Sequence, residues 1–179
     1  MTDLQNPQDL TDEQLEDVLV ELSVSVGGKP AGTMRLEFWP KAAPATVRNF
    51  TRYVAEGFYN GKIFHRVISG FMIQGGCPQG SGTGSGPHGM IPGEFSRDAS
   101  YSHRRGVLSM ARSQDPNSAS CQFFVCHADA DFLDGQYAAF GRLIEGEEAL
   151  DAVAGVRTGG NDRPAEDCTI ESMKLVSRV

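Results

Sequence analysis

The chain has 179 residues, with 23 acidic and 16 basic side chains and a formal net charge of −7. Hydrophobic residues make up 40% of it, which is the level of an ordinary globular domain with a sizeable core. Nucleic acids and anionic membrane surfaces are bound through basic faces, so this acidic balance argues against either as a partner.

Residues 1–17 are polar and acidic, and we expect them to form an N-terminal tail outside the main domain. Thr11-x-x-Gln14 matches a capping box, so a short helix is the alternative. The segment lacks a basic start followed by an apolar run, and no later stretch is apolar for long enough to span a bilayer. We therefore expect a cytoplasmic protein without a signal peptide or anchor. Its four cysteines, which contain no Cys-x-x-Cys pair, are then expected to be reduced.

Short apolar segments with a period of two, separated by Gly, Pro, Asn and Asp, predict a fold made mainly of β-strands. Two segments with helical spacing predict helices at 44–57, where Pro44 fits the first turn, and at 145–153. The predicted strands are 18–26, 34–39, 63–72, 105–110, 122–126, 136–142 and 169–176. Seven or eight strands and two helices then form one domain over residues 18–179, and closure into a barrel would remove exposed strand edges.

A glycine-rich loop at 75–89 contains Gly84-x-Gly86-x-x-Gly89, which fits the dinucleotide-binding fingerprint. That fingerprint requires a helix to begin directly after it, whereas Met90-Ile91-Pro92-Gly93 follows here. Phosphate binding is therefore disfavoured, and a loop with special backbone conformations is expected instead. The histidines and cysteines lack metal-ligand spacing, so neither a metal nor another cofactor is expected.

Residues 64–76 place two polar side chains, Arg66 and Gln74, among apolar neighbours. With a kink at Ser69-Gly70, strand alternation could place both on one face, where the amide would hold the guanidinium. The alternative is that Arg66 is a surface residue whose stem covers apolar area. A small apolar pocket beside Arg66 is also possible, although these side chains could equally be ordinary core residues. Its candidate lining is Phe71, Met72, Phe124, Phe132 and Leu133.

These windows together resemble the cyclophilins, which are peptidyl-prolyl cis-trans isomerases. The resemblance runs from about Val18 to Val176, in order and at the family's spacing. The motifs that carry it are Phe64-His65-Arg66, Gly70-Phe71-Met72-Ile73-Gln74-Gly75-Gly76, Gly82-Thr83-Gly84, Leu108-Ser109-Met110-Ala111, Pro116-Asn117-Ser118, Gln122-Phe123-Phe124, Leu133-Asp134-Gly135 and Phe140-Gly141. The resemblance implies a closed eight-stranded antiparallel β-barrel capped by two α-helices.

The resemblance also implies roles for individual residues. The catalytic set would be Arg66, which donates a hydrogen bond to the prolyl nitrogen of the twisted amide, together with Gln74 and Phe71. The Ala111-Arg112 backbone would bind the residue before proline. The implied substrate-binding set is Met72, Gly82, Ala111, Arg112, Gln122, Phe124, Phe132, Leu133 and Tyr137.

Four positions depart from the pattern of many members. Arg112 and Ser113 stand where Asn and Ala are common, which should alter charge preference while the backbone contact survives. Phe132 replaces a tryptophan of cyclosporin-binding members, so weak cyclosporin binding is expected. Tyr137 replaces a histidine, and with Phe132 it makes the chain similar to single-domain bacterial cyclophilins.

The implied partners are proline-containing peptides and unfolded or folded client proteins, whose folding the chain would assist as a chaperone. A monomer is expected, because a closed barrel exposes no strand edge. The rival hypothesis is a proline-peptide binding module with little catalysis, as in members that have lost the arginine.

Overall fold

The computed structural model describes residues 4–178, and within them it contains eight β-strands and three α-helices. The strands are β1 (Val18–Val26), β2 (Lys29–Phe38), β3 (Arg66–Ile68), β4 (Met72–Gly75), β5 (Val107–Met110), β6 (Phe123–Cys126), β7 (Ala139–Glu145) and β8 (Cys168–Ser177). The helices are α1 (Asp12–Glu16), α2 (Pro44–Ala55) and α3 (Glu147–Ala154). The structure is thus mainly β, as the sequence predicts.

All eight strands form one antiparallel sheet in the order β3-β4-β6-β5-β7-β2-β1-β8. The sheet curls so that residues just before β3 reach β8: Gly61 N–H donates to Ile170 O at 2.7 Å and Phe64 N–H donates to Cys168 O at 2.9 Å. Between residues 4 and 178, however, β3 and β8 share no ladder, and one bridge joins Ile63 to Thr169. The number and direction of the strands agree with the expected barrel, but the prediction that the barrel is completely closed was wrong.

In place of the predicted strand 63–72, the structure has two short strands, β3 and β4, which form a hairpin that extends to Gly75. Phe71 N–H donates to Ile68 O at 3.0 Å, which closes a tight turn over Ser69 and Gly70. Gly70 has φ +79°, a conformation that glycine adopts without a steric penalty. The kink at Ser69-Gly70 is therefore a chain reversal, and it places β3 and β4 side by side.

The N-terminal segment is folded from residue 7 onward. The capping box is present, because Gln14 N–H donates to Thr11 Oγ1 at 3.1 Å and Thr11 N–H donates to Gln14 Oε1 at 2.8 Å. Leu15 is fully buried, and Arg48 of α2 donates to the Leu10 carbonyl at 2.7 Å. The helix alternative is correct, so the described chain has three helices rather than two. A domain boundary at residue 17 stays a prediction, and residues 1–3 lie outside the described part.

Two apolar clusters divide the interior. The larger joins the strands to all three helices and contains Phe50, Phe64, Phe123 and Phe140. The smaller cluster consists of Met72, Val107, Phe124, Cys126, Ala130, Leu133 and Ala139. In the part of the chain that the structure covers, no helix is long and apolar enough to cross a membrane.

Candidate active site

Arg66 and Gln74 face each other across the β3–β4 hairpin. They are direct partners in the antiparallel register, and such partners project from the same side of a sheet. Arg66 Nη1–H donates to Gln74 Oε1 at 3.3 Å. Arg66 is exposed, and among residues 4–178 this is its only side-chain hydrogen bond, so most of its five N–H donors remain available.

The hydrogen bond to Arg66 continues as a chain of amides. Gln74 Nε2–H donates to Gln122 Oε1 at 3.2 Å. Gln122 Nε2–H in turn donates to the carbonyls of Gly82 and Gly84 at 2.9 Å each. All these hydrogen bonds run in one direction, from Arg66 through Gln74 and Gln122 to the glycine carbonyls. The Gln122 oxygen is therefore oriented toward Gln74, and the Gln74 oxygen toward Arg66. The glycine loop thereby fixes the arginine through two side chains.

A pocket of about 350 Å³ lies beside Arg66. Ten of the twelve residues that the resemblance implies for the site line it. They are Arg66, Phe71, Met72, Gln74, Ala111, Arg112, Phe124, Phe132, Leu133 and Tyr137. The other two, Gly82 and Gln122, line an adjoining pocket of about 380 Å³, which shares Gln74, Ala111 and Arg112 with the first.

The first pocket has a buried apolar base and an exposed aromatic rim. Met72, Phe124 and Leu133 belong to the smaller apolar cluster and are at most 8% exposed. Phe132, in contrast, is 65% exposed, and its ring lies 5.7 Å from that of Phe71. Tyr137 meets the Phe124 ring edge-on at 6.0 Å. A compact apolar group could therefore be enclosed from below while its flanking chain stays in solvent.

The Arg112 side chain is held along the rim by its own surroundings. Its Nε–H and Nη2–H donate to the Gln136 carbonyl at 3.0 and 2.8 Å, and its guanidinium lies 4.9 Å from the Tyr137 ring. These contacts orient the positive charge at the junction of the two pockets.

The glycine loop is built around the Cys77 thiol. Both Gly82 N–H and Gly84 N–H donate to Cys77 Sγ at 3.3 Å. Burial raises the pKa of this thiol, but the backbone hydrogen bonds outweigh burial and lower it to about 7. Both amides therefore have a hydrogen-bond acceptor within the loop itself. In residues 4–178, no group of three His, Cys, Asp or Glu is arranged to hold a metal ion.

A buried polar network behind Phe124 was missed from the sequence. His103 Nδ1 lies 2.8 Å from Asp134 Oδ1, and His103 Nε2 lies 2.8 Å from Ser109 Oγ. The imidazole stacks on the Phe124 ring at 6.1 Å. Ser109 is fully buried, so the line of serine, histidine and aspartate holds the aromatic ring and offers no accessible nucleophile. The three residues come from separate parts of the chain, so no single motif signals the network.

Burial favours the neutral form of the imidazole in this network. Burial lowers the pKa of His103, although Asp134 acts in the opposite direction. Burial raises the pKa of Asp134, but hydrogen bonds from Ser102 and His103 outweigh it and leave that pKa below its usual range. A neutral His103 donates from Nδ1 to Asp134 and accepts from the Ser109 hydroxyl.

Comparisons with known proteins agree with this geometry. The sequence model of the family described as cyclophilin type peptidyl-prolyl cis-trans isomerase/CLD matches residues 20–175. A peptidyl-prolyl cis-trans isomerase of Synechococcus elongatus is 47% identical over 128 residues, which cover 72% of this chain and 84% of the relative. Another from Streptomyces antibioticus is 39% identical over 171 residues, 88% of this chain and 98% of the relative.

A solved structure gives the same result for the fold. The crystal structure of a cyclophilin type peptidyl-prolyl cis-trans isomerase from Cryptosporidium parvum, determined in the presence of the dipeptide Ala-Pro, matches with a TM-score of 0.81. Its sequence is 32% identical, and the match covers 89% of this chain and 99% of that one. The chain therefore belongs to the cyclophilin-type peptidyl-prolyl cis-trans isomerases.

Proposed function

We propose that this cyclophilin accelerates rotation about X–Pro bonds by stabilising the twisted amide with Arg66 while the apolar pocket holds the proline ring. The observation that carries the proposal is the position of Arg66. It is held by Gln74 at 3.3 Å, at the edge of a pocket based on Met72, Phe124 and Leu133.

The reaction needs no covalent step. Rotation is slow because it breaks amide resonance, with a barrier of about 20 kcal/mol. A catalyst must therefore bind the twisted amide better than either planar isomer. Lowering the barrier by about 7 kcal/mol would accelerate rotation by a factor on the order of 10⁵.

Arg66 suits this task because twisting localises a lone pair on the prolyl nitrogen. A guanidinium N–H can donate to that lone pair in the twisted state, whereas the planar amide nitrogen offers no acceptor. The chain of amides from Gly82 and Gly84 through Gln122 and Gln74 holds the donor in place before the substrate arrives.

The remaining predicted residues would bind the peptide on either side of the reacting bond. The proline ring would enter the pocket past Phe71, Phe132 and Tyr137, and the Ala111-Arg112 backbone would bind the preceding residue. Gly82 and Gln122 would contact residues farther from the proline in the adjoining pocket. The relative studied with Ala-Pro supports a proline-containing peptide as the ligand.

The cellular partners follow from the same site. Unfolded or folded client proteins with accessible X–Pro bonds would be the substrates, and the chain would assist their folding as a cytoplasmic monomer. Cyclosporin would bind weakly, because Phe132 has no indole N–H to donate. Titration of the wild type and of Phe132→Trp with cyclosporin tests this, and nanomolar binding by the wild type would contradict it.

The proposed mechanism is tested by a protease-free isomerisation assay on a short X–Pro peptide. We expect Arg66→Ala to lower kcat/KM at least about 100-fold, as expected for loss of a transition-state hydrogen-bond donor. Arg48→Ala, at an arginine that binds the N-terminal segment instead, is the matched control and should retain activity. If the wild type binds the peptide without accelerating rotation, the chain is a proline-peptide binding module, and the enzymatic proposal is wrong.

A further inference from the structure

His127 touches the turn of the β3–β4 hairpin at two points. Its backbone N–H donates to Phe71 O at 2.8 Å. Its ring Nδ1 accepts from Gly70 N–H, also at 2.8 Å. His127 follows directly after β6, so its ring links the end of β6 to the turn that leads into Phe71 and Met72.

The other side of the ring is held by α3. His127 Nε2 lies 3.0 Å from Asp151 Oδ1, and the same carboxylate oxygen accepts from Arg105 Nη2–H at 2.9 Å. Arg105 also donates from Nη1 to the His127 carbonyl at 2.9 Å. Because Asp151 accepts a hydrogen bond, the proton of the neutral ring sits on Nε2, which leaves the Nδ1 lone pair for Gly70.

We infer that His127 is a positioning residue for the isomerase site, because its Asp151-oriented ring fixes the Gly70 amide and thereby the Phe71 wall of the proline pocket. This inference rests on the proposed function, since that function requires a peptide in this pocket. Gly70 is exposed, so without the ring its N–H would be bonded to water and the turn would lose this anchor.

The anchor matters because the aromatic side chains of the pocket wall beside it are only partly packed. Phe71 is only half-buried, and its ring neighbour Phe132 is 65% exposed. The hairpin that follows the turn carries Met72 and Gln74, and the latter holds Arg66. A looser turn would therefore weaken peptide affinity first and the placement of Arg66 second.

The charged groups around the His127 ring are Asp151 and Glu147 of α3, Arg105 before β5 and Asp129 after β6. A hydrogen bond from Arg105 lowers the pKa of Asp151 and outweighs burial, which acts in the opposite direction. The Asp151 carboxylate is therefore held in its ionised form, in which it accepts from the His127 ring.

A matched pair of variants separates the two sides of the ring. His127→Asn can place an amide oxygen near the Nδ1 position and keep an acceptor for Gly70, whereas His127→Gln reaches toward Asp151 and leaves Gly70 without one. Two-dimensional exchange NMR on an Ala-Pro-containing tetrapeptide would measure affinity and turnover separately. We expect His127→Gln to weaken affinity about threefold to tenfold, with a smaller loss in turnover, and His127→Asn to restore most of it.

A further readout distinguishes positioning from a merely structural role. Hydrogen exchange at Gly70 should be faster in His127→Gln than in the wild type or His127→Asn.

The outcomes separate this inference from the proposed function. If the wild type is active but the two variants bind peptide equally and exchange Gly70 at equal rates, His127 does not position the turn. If the wild type binds peptide without accelerating rotation, the proposed function fails, while the Gly70 exchange rates still decide the role of His127.

Discussion

Strands β4 and β6 send neighbouring side chains into two different regions of the molecule. Ile73 and Phe123 point into the larger apolar core, whereas Met72 and Phe124 belong to the cluster at the base of the pocket. Alternation along each strand produces this division, and the register pairs Gln74 with Phe124 across the two strands. The same eight residues therefore build both the core and the site.

The two regions hold their aromatic rings by different means. Phe123 is surrounded by the rings of Phe50, Tyr59 and Phe64 at 5.3 to 6.0 Å and is fully buried. Phe124 instead has His103 on one side and Tyr137 at its edge. Close packing fixes the first ring, and a polar network fixes the second, whose pocket side stays accessible. Loss of the first should cost stability, and loss of the second should cost function.

Replacing these two neighbours tests the comparison most strongly. Phe123→Ala should lower the free energy of unfolding by about 3–5 kcal/mol, the usual cost of a buried Phe. Phe124→Ala should cost less stability, because Phe124, although only 5% exposed, lines a pocket that water can enter once the ring is removed, yet it should lower kcat/KM more per folded molecule. Urea unfolding and the isomerisation assay measure the two effects. Equal losses of stability and activity in both variants would show that the two faces are not separate.

The N-terminal segment packs on the larger core, so changes in it should affect stability rather than function. Leu15 is fully buried in the larger core, although it precedes residues 20–175 that match the family model. Leu15→Ala should lower the free energy of unfolding by about 2–4 kcal/mol without changing kcat/KM of the folded protein. Exposed Glu13→Ala in the same helix is the control and should change stability little. If Leu15→Ala unfolds at the same midpoint as the wild type, the packing of this segment does not stabilise the fold.

Local patterns predicted those features that depend on local rules. Alternation located the strands, the capping box at Thr11 and Gln14 predicted α1, and the kink at Ser69-Gly70 brought Arg66 and Gln74 to one face. Features that depend on distant contacts were not predictable in this way. The docking of the N-terminal segment involves Arg48 of α2, which donates to the Leu10 carbonyl, and the incomplete seam between β3 and β8 depends on how the whole sheet curls.

The chain of amides that holds Arg66 should affect activity much more than stability. Gln74→Leu removes the acceptor for Arg66 and the donor to Gln122 while keeping similar volume. We expect about a tenfold loss of kcat/KM, because Arg66 then samples other rotamers, with a stability change below about 1 kcal/mol. Gln8→Leu, at an exposed glutamine that donates one hydrogen bond to Arg48 O, should change neither quantity much. Full activity in Gln74→Leu would show that Arg66 needs no support.

The smallest expected effect is a pH dependence of stability that arises from His103, which lies behind Phe124. His103 has its pKa lowered by burial from an ordinary value of 6.5, so below pH 6.5 the unfolded chain binds a proton that the folded chain does not. Stability that is fully present above this value must therefore decrease as the pH falls toward the lowered pKa. One such group contributes at most about 1.4 kcal/mol per pH unit.

The variant His103→Gln separates this contribution from the rest of the chain. Its free energy of unfolding, measured by urea titration between about pH 7.5 and pH 5, should fall less steeply than that of the wild type. Part of the slope should survive, because burial also lowers the pKa of His65. Equal slopes in the two proteins would show that His103 is not held neutral behind Phe124. A shallower slope in the variant would instead trace this acid sensitivity to the polar network behind the pocket, since the aromatic rings that pack the core cannot take up a proton in this range.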